Sequence, residues 1–291
     1  MRSELSIGFV GFGEAGSHIA KGLKSAGLSR IFAFDIAPEK VRHRSIDAGV
    51  PLVASNRELA DSVEIIFSTV TCARAKEAAE QTAPFLKPYH IYADLNSVSP
   101  ALKQEIERVI AAAGVGFVEA AVMSPVPPLG HRSPMLLGGK AAPAFVDAMT
   151  PFGMRLEIVS ETVGTAAATK MFRSIIVKGL EALMIECVMA AVPYGADERV
   201  FSSLSESFPG IDWQRLANYM VGRVVVHGER RAREMEEVAE TLQSLGIDPI
   251  MADAAARRQD WCAGLGISSQ FGPDGPKTYR EALEAIARVV Y

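Results

Sequence analysis

Residues 6–16 read SIGFVGFGEAG, an apolar run that passes without a break into Gly11, Gly13 and Gly16 and then into the helical stretch SHIAKGLKSAG. Gly11 permits a tight turn at the end of a strand, and Gly13 lets backbone approach a pyrophosphate. Gly16 lets helix and strand pack closely, while the first N–H groups of the helix stay unpaired at the positive end of its dipole. The spacing therefore predicts a strand, a turn and a helix of a doubly wound sheet, with a dinucleotide on the turn and Phe12, Glu14 and Ala15 among its contacts. A carboxylate repels phosphate, so the Glu14 side chain is expected to point away from the ligand. Asp35 closes the next apolar run, RIFAFD, 24 residues after Gly11. An acid at that place accepts hydrogen bonds from both ribose hydroxyls and repels a 2′-phosphate, which selects NAD. Lys40, Arg42 and Arg44 follow closely and keep NADP as the alternative.

The pattern of the first turn continues to about residue 160. The runs 6–10, 30–35, 63–70, 90–95, 116–122, 134–139 and 155–160 are almost wholly apolar and alternate with amphipathic stretches. Near-continuous apolar strands separated by helices predict a mainly parallel sheet covered on both faces. Past Ser160 the strand signal stops, and apolar residues recur at helical spacing over 162–192, 198–207, 212–226, 229–245, 249–263 and 277–290. Glycine and proline mark the breaks, as in VPYG, FPG, VHG, LGIDP and FGPDGP. The expected fold class is α/β, a Rossmann-type dinucleotide-binding domain over 1–160 followed by an all-helical domain over 161–291. The first long helix, about 45 Å if continuous, is expected to join them. Its Ile-, Leu- and Met-rich stretch near 175–192 needs cover on several sides, which predicts a homodimer.

The formal net charge of −4 gives no long-range attraction for nucleic acid or an anionic membrane. No run approaches about 18 uninterrupted apolar residues, and Cys72, Cys187 and Cys262 lie far apart without metal-ligand spacing. A reduced, cytoplasmic protein without metal is expected.

In an open α/β sheet the ligand lies across the carboxyl ends of the strands. FSTVT, which contains Thr69 and Val70, DLNSVSP at 94–100 and GTAAATKMFRS at 164–174 are expected to converge there. In the second segment Ser97 or Ser99 can cap the helix that starts at Pro100. In the third, Lys170 stands among small residues on a helix and is expected to face the cleft between the domains.

These three segments together resemble the β-hydroxyacid dehydrogenase family, which includes 3-hydroxyisobutyrate and 6-phosphogluconate dehydrogenases. The likeness covers the amino-terminal half and the long helix and is looser beyond. It implies an NAD(P)-dependent oxidoreductase that moves a hydride between nicotinamide and a small, anionic β-hydroxy acid or its carbonyl partner. Lys170 falls at the family's catalytic lysine, the general acid and base toward the substrate oxygen. Asn96 and Ser97 match a pair that contacts nicotinamide and substrate, and Arg233 falls where the family often has a lysine near the nicotinamide.

Departures narrow the chemistry. Ser174 stands where the family usually has asparagine, and Arg173 where the phosphogluconate branch has histidine, a cation suited to a carboxylate or phosphate. Val177 replaces the glutamate that protonates the enol after decarboxylation, which argues against a phosphogluconate decarboxylase. The clamping loop reads Val122, Met123, Ser124 and Pro125 where the family typically has Val-Ser-Gly-Gly, so the backbone N–H groups of two glycines are lost, and Ser124, His131 or Arg132 can compensate. The alternatives are an imine reductase on the same scaffold, against which Lys170 argues, and a nicotinamide-binding sensor without turnover.

Overall fold

A computed structural model describes residues 5–290. The apolar runs form β1 (Ser6–Val10), β2 (Arg30–Phe34), β3 (Ile65–Ser68), β4 (Ile91–Asp94), β5 (Gly116–Val122), β6 (Met135–Gly138) and β7 (Leu156–Ser160). Among the described residues they build one seven-stranded sheet in the order β2-β1-β3-β4-β5-β6-β7. Neighbours run parallel except β5 and β6, which are antiparallel. Because β1 lies between β2 and β3, the crossovers that follow it diverge to either side. A crevice opens at the carboxyl end of such a switch point.

Helices α1 (Glu14–Ser25), α2 (Pro38–Ala48), α3 (Asn56–Ser62), α4 (Ala75–Thr82), α5 (Pro100–Ala112), the single turn α6 (Val126–Leu129) and α7 (Ala142–Met149) connect the strands. Alternate strand residues point to opposite faces. Ile7, Phe9 and Phe67 pack with Ile19 and Leu23 of α1 and Phe145 of α7 on one side, whereas Ile66 and Tyr92 pack with Leu59 of α3 and Ile106 and Ile110 of α5 on the other. Each such fully buried side chain contributes about 1.5–3 kcal/mol, so the strands are fixed against both layers.

The remaining helices are α8 (Thr165–Ala191), α9 (Asp197–Ser207), α10 (Trp213–Ser244), α11 (Ile250–Gly264) and α12 (Tyr279–Val290). One correction concerns α10. The VHG break expected near residue 228 does not occur, and the helix runs through it for 32 residues. Gly228 is there for packing: a Cβ on it would lie 2.8 Å from the Gln259 carbonyl oxygen of α11. Apolar clusters join Ile185 and Val188 of α8 to Val221 and Val224 of α10 and Ile286 of α12, and Ala182 of α8 to Met235 and Val238 of α10 and Ala255 of α11.

The chain divides into two compact units, one ending at Lys170 and the next starting at Met171. The sequence pattern puts the division at 160/161. The ten additional residues stay with the sheet because Glu119 of β5 accepts hydrogen bonds from the backbone N–H groups of Gly164, Ala166 and Ala167, at the start of α8. No described helix is long and apolar enough to cross a membrane.

Candidate active site

The cofactor end is built from backbone first. Gly11, with φ of 85°, makes the turn out of β1, and a Cβ there would meet Val70 Cγ1 at 2.7 Å and the Thr69 carbonyl oxygen at 2.8 Å. At Gly16 a Cβ would lie 2.6 Å from Thr69 Oγ1. That hydroxyl donates to the Gly11 carbonyl oxygen at 2.7 Å, so Thr69 braces the turn. Gly13 differs, since a Cβ on it would meet nothing within 4 Å. It precedes α1 as an N-cap without a side-chain hydrogen bond, which leaves first-turn N–H groups aimed at open space.

A cleft of about 350 Å³ occupies that space. Val10, Gly11, Gly13, Glu14 and Ala15 line it from β1 and the turn, Phe34, Asp35 and Ile36 from the end of β2, and Thr69, Val70, Thr71 and Arg74 from beyond β3. Both oxygens of Asp35 work locally: Oδ2 accepts from Phe12 N–H at 2.8 Å and Oδ1 from Ala37 N–H at 2.9 Å. Each oxygen has a second lone pair for a ligand hydroxyl. Glu14 is exposed and remains among the lining residues. Phe12 does not line the cleft. Its ring is fully buried, edge-on to Phe9 at 6.0 Å, so only its backbone serves the turn. Gly16 serves by packing.

Sequence reasoning missed Asn56, the first residue of α3, which lines the cleft and is buried with its Oδ1 lacking a hydrogen-bond partner. An Asn after a Ser reads as ordinary helix-start chemistry, and only the fold brings it to the cleft that Asp35 also lines. An orphaned amide, a strip of free helix N–H groups and an acid at the end of β2 fit the adenosine and pyrophosphate of a dinucleotide. Lys40, Arg42 and Arg44 do not line the cleft, and Arg42 is paired with Glu39.

The residues expected to carry chemistry gather past the carboxyl end of β4. Lys170, half-buried on α8, donates from Nζ to Ser97 Oγ at 2.6 Å. The helix-capping role falls to Ser99, whose Oγ accepts from Leu102 N–H ahead of α5, and Ser97 is thereby left to the lysine. Asn96 is buried: its Nδ2 donates to Ser68 Oγ at 2.9 Å, its N–H to Asp94 Oδ1 at 2.8 Å, and its Oδ1 lacks a partner. Beneath it Lys103 Nζ donates to the Asp94 carbonyl oxygen at 2.7 Å and lies 3.4 Å from Asp94 Oδ1, both side chains 1% exposed. Cys72, next to the cleft-lining Thr71, reaches the Ser97 carbonyl oxygen through its thiol at 3.0 Å. Asn96, Ser97 and Lys170 do not line the cleft itself; Cys72 links the Ser97 backbone to the cleft-lining Thr71.

The other expected residues are placed as follows. Ser124 is partly buried, with its hydroxyl 3.4 Å from the Pro125 carbonyl oxygen. His131 is a correction, because it is buried against Gly22 of α1, where a Cβ would touch Nδ1. Burial, and then Arg132, hold its imidazole below the ordinary value. It secures the loop and is closed to substrate. In the helical unit, Arg173 is exposed, and Ser174 Oγ accepts from Lys178 Nζ at 3.2 Å. Lys178 is buried and paired with Glu234 at 2.7 Å; burial holds its amine below the ordinary lysine value against that pairing. Glu181 is buried beside Arg231 at 2.9 Å, and desolvation raises its carboxyl. Arg233 is exposed on α10, engaged by Glu236 at 2.7 Å and Asp260 at 3.5 Å. No group of metal-ligating side chains occurs among the described residues.

Comparison with known proteins agrees with this architecture. Residues 6–143 match the NAD binding domain of 6-phosphogluconate dehydrogenase, and residues 191–262 match a domain of unknown function, DUF1932. A conserved hypothetical protein from Sinorhizobium meliloti 1021 is 35% identical with a TM-score of 0.86, the match covering 99% of this chain and 97% of that one. A conserved protein of unknown function, described as structurally similar to 3-hydroxyacid dehydrogenases, is 29% identical with a TM-score of 0.78 over 89% of this chain and 97% of that one. The mitochondrial 3-hydroxyisobutyrate dehydrogenase of Drosophila melanogaster is 25% identical over 72% of this chain and 65% of its own length. On the strength of its nucleotide-binding half, its helical second half and these relatives, the chain belongs to the β-hydroxyacid dehydrogenase family.

Proposed function

We propose that the protein is an NAD-dependent dehydrogenase of a small β-hydroxy acid, or a reductase of the corresponding carbonyl compound, with Lys170 as general acid and base. The observation that carries this reading is the hydrogen bond from Lys170 to Ser97, which follows the carboxyl end of β4 in the same unit as the cleft lined by Gly13 and Asp35. Gly11, Gly13, Ala15, Asp35, Asn56, Thr69 and Val70 would hold the dinucleotide, which supplies a hydride acceptor or donor when bound. In the oxidative direction the neutral amine of Lys170 takes the substrate hydroxyl proton, and in reduction the ammonium returns it. Ser97 fixes the direction of Nζ and has its own O–H left for the substrate oxygen. Asn96, with an unused buried acceptor, is suited to an amide or hydroxyl donor. Asp35, together with the position of the basic residues outside the cleft lining, supports NAD over NADP.

For substrate selection the candidates are Ser124 and, by their chemistry alone, Arg173 and Ser174; the guanidinium of Arg173 suits an anionic group. Ile176, Leu180 and Leu183 leave an exposed apolar stripe on α8, 65%, 38% and 54% accessible, which supports a homodimer and is checked by light scattering. Lys170→Ala should leave NAD affinity intact and lower turnover on a hydroxy-acid panel by about a hundredfold or more. Unchanged turnover, or loss of NAD binding instead, rejects the assignment.

A further inference from the structure

Three adjacent strands meet on one rung of the sheet, where Asp94 of β4 pairs in register with Glu119 of β5, and Glu119 with Gly138 of β6. Glu119 is fully buried, and its carboxylate accepts from Gly164 N–H at 2.8 Å, Ala166 N–H at 2.9 Å and Ala167 N–H at 3.3 Å. Among the described residues no cation is paired with it. The three N–H donors, at the positive end of the α8 dipole, satisfy this buried carboxyl. Gly138 completes the arrangement: a Cβ on it would lie 2.3 Å from Glu119 Oε1, so a residue without a side chain is required opposite the acid.

We infer that Glu119 is a positioning residue for Lys170, acting through the first turn of α8. Lys170 stands three residues after Ala167, less than one helical turn beyond the capped N–H groups. The cap sets the rotation and axial position of the segment that carries the amine. Its rung partner Asp94 does the complementary work, since Oδ1 receives Asn96 N–H and so shapes the loop that carries Ser97. Two buried carboxylates on one rung therefore aim the two partners of the 2.6 Å bond at each other. A side chain in a β-strand, remote in sequence from the lysine, controls where the proton-transferring group stands.

The inference rests on the proposed role of Lys170, and the test separates the two. Glu119→Gln and Glu119→Asp are made in the full chain and compared below their melting temperatures. The Gln amide turns one N–H acceptor into a clashing donor, whereas Asp keeps the charge on a shorter arm. Trace acetylation read by mass spectrometry reports the reactivity of Lys170 against pH, with exposed Lys40 as internal reference. Because misplacement of a catalytic group by about 1 Å can cost a hundredfold, Glu119→Gln should change Lys170 labelling by about threefold or more and lower kcat by about tenfold or more. KM and the Kd for NAD should stay within about twofold, and Glu119→Asp should recover part of the loss. Lys170 labelling and kcat within about twofold of wild type in Glu119→Gln, with only the melting temperature lowered, would overturn the inference. If wild type turns over nothing in the panel, the proposed activity fails, and the labelling still decides whether Glu119 positions the amine.

Discussion

Asp35→Ala tests how the cleft reads its nucleotide. The carboxylate is half-buried and does two things: it accepts Phe12 N–H and Ala37 N–H at 2.8 and 2.9 Å, and it offers the remaining lone pairs to the cleft. A hydrogen bond to a charged group contributes about 1.5–3 kcal/mol. Partial exposure puts these two at the low end, because water replaces some of what is lost. About 2 kcal/mol of turn ordering is then forfeited, and it appears as a smaller binding-competent fraction. Loss of the ribose contacts adds about 1–2 kcal/mol. At about 1.4 kcal/mol per tenfold, NAD affinity should fall by about a hundredfold or somewhat more. NADP suffers the loosened turn and is relieved of repulsion between carboxylate and 2′-phosphate, so its affinity should fall much less. Calorimetric titration of both cofactors, at one ionic strength, measures the ratio. A wild type that already prefers NADP, or equal losses for both cofactors in the variant, would refute the ribose-reading argument and leave Asp35 as a turn brace.

Gly228→Ala gains about 1 kcal/mol of helix propensity but drives a methyl to 2.8 Å from the Gln259 carbonyl oxygen, and overpacking of that kind costs about 1–3 kcal/mol or more. It should lower the urea midpoint, whereas Gly222→Ala on the same helix, 3.6 Å from its nearest neighbour, should raise it; the reverse order would show that α10 and α11 do not touch at Gly228. Lys103→Met leaves the buried Asp94 carboxylate without its cation and should cost about 3–5 kcal/mol in chemical denaturation, and a loss below about 1 kcal/mol would mean that the Asn96 N–H alone suffices to hold it. For His131 the sign follows from a folded value held below the ordinary imidazole value of about 6.5. Above that pH neither state holds the proton and stability is full; as pH falls below it the unfolded chain protonates first, and stability declines until the folded value is passed. His131→Gln should remove this part of the pH dependence, and a slope identical in wild type and variant between about pH 7 and 5 would place the histidine in solvent.

Much of the cofactor half was legible in the sequence because its chemistry is local. The turn from β1 into α1 depends on glycines three or fewer residues apart, and the run-by-run apolar pattern already contained all seven strands. The parting of work between Ser97 and Ser99 was half-legible, since either can cap a helix that starts at Pro100. Nothing in the sequence chose between them.

What the chain carries locally are the strands, the glycine turn, the helix spacing and Lys170 on its helix; these follow from backbone sterics and hydrophobic period, which act over a few residues. Only the tertiary structure decided that Gly228 is a packing contact instead of a helix end, that His131 is buried against α1, that Asn56 lines the cleft at the glycine turn, and that Glu119 receives the first N–H groups of the helix bearing Lys170. The contacts of Gly228, His131 and Glu119 join residues 31 to 109 positions apart in sequence, and Asn56 and Asp35, 21 apart, line one cleft. Such pairs are set by sheet register and layer packing, which no local period encodes.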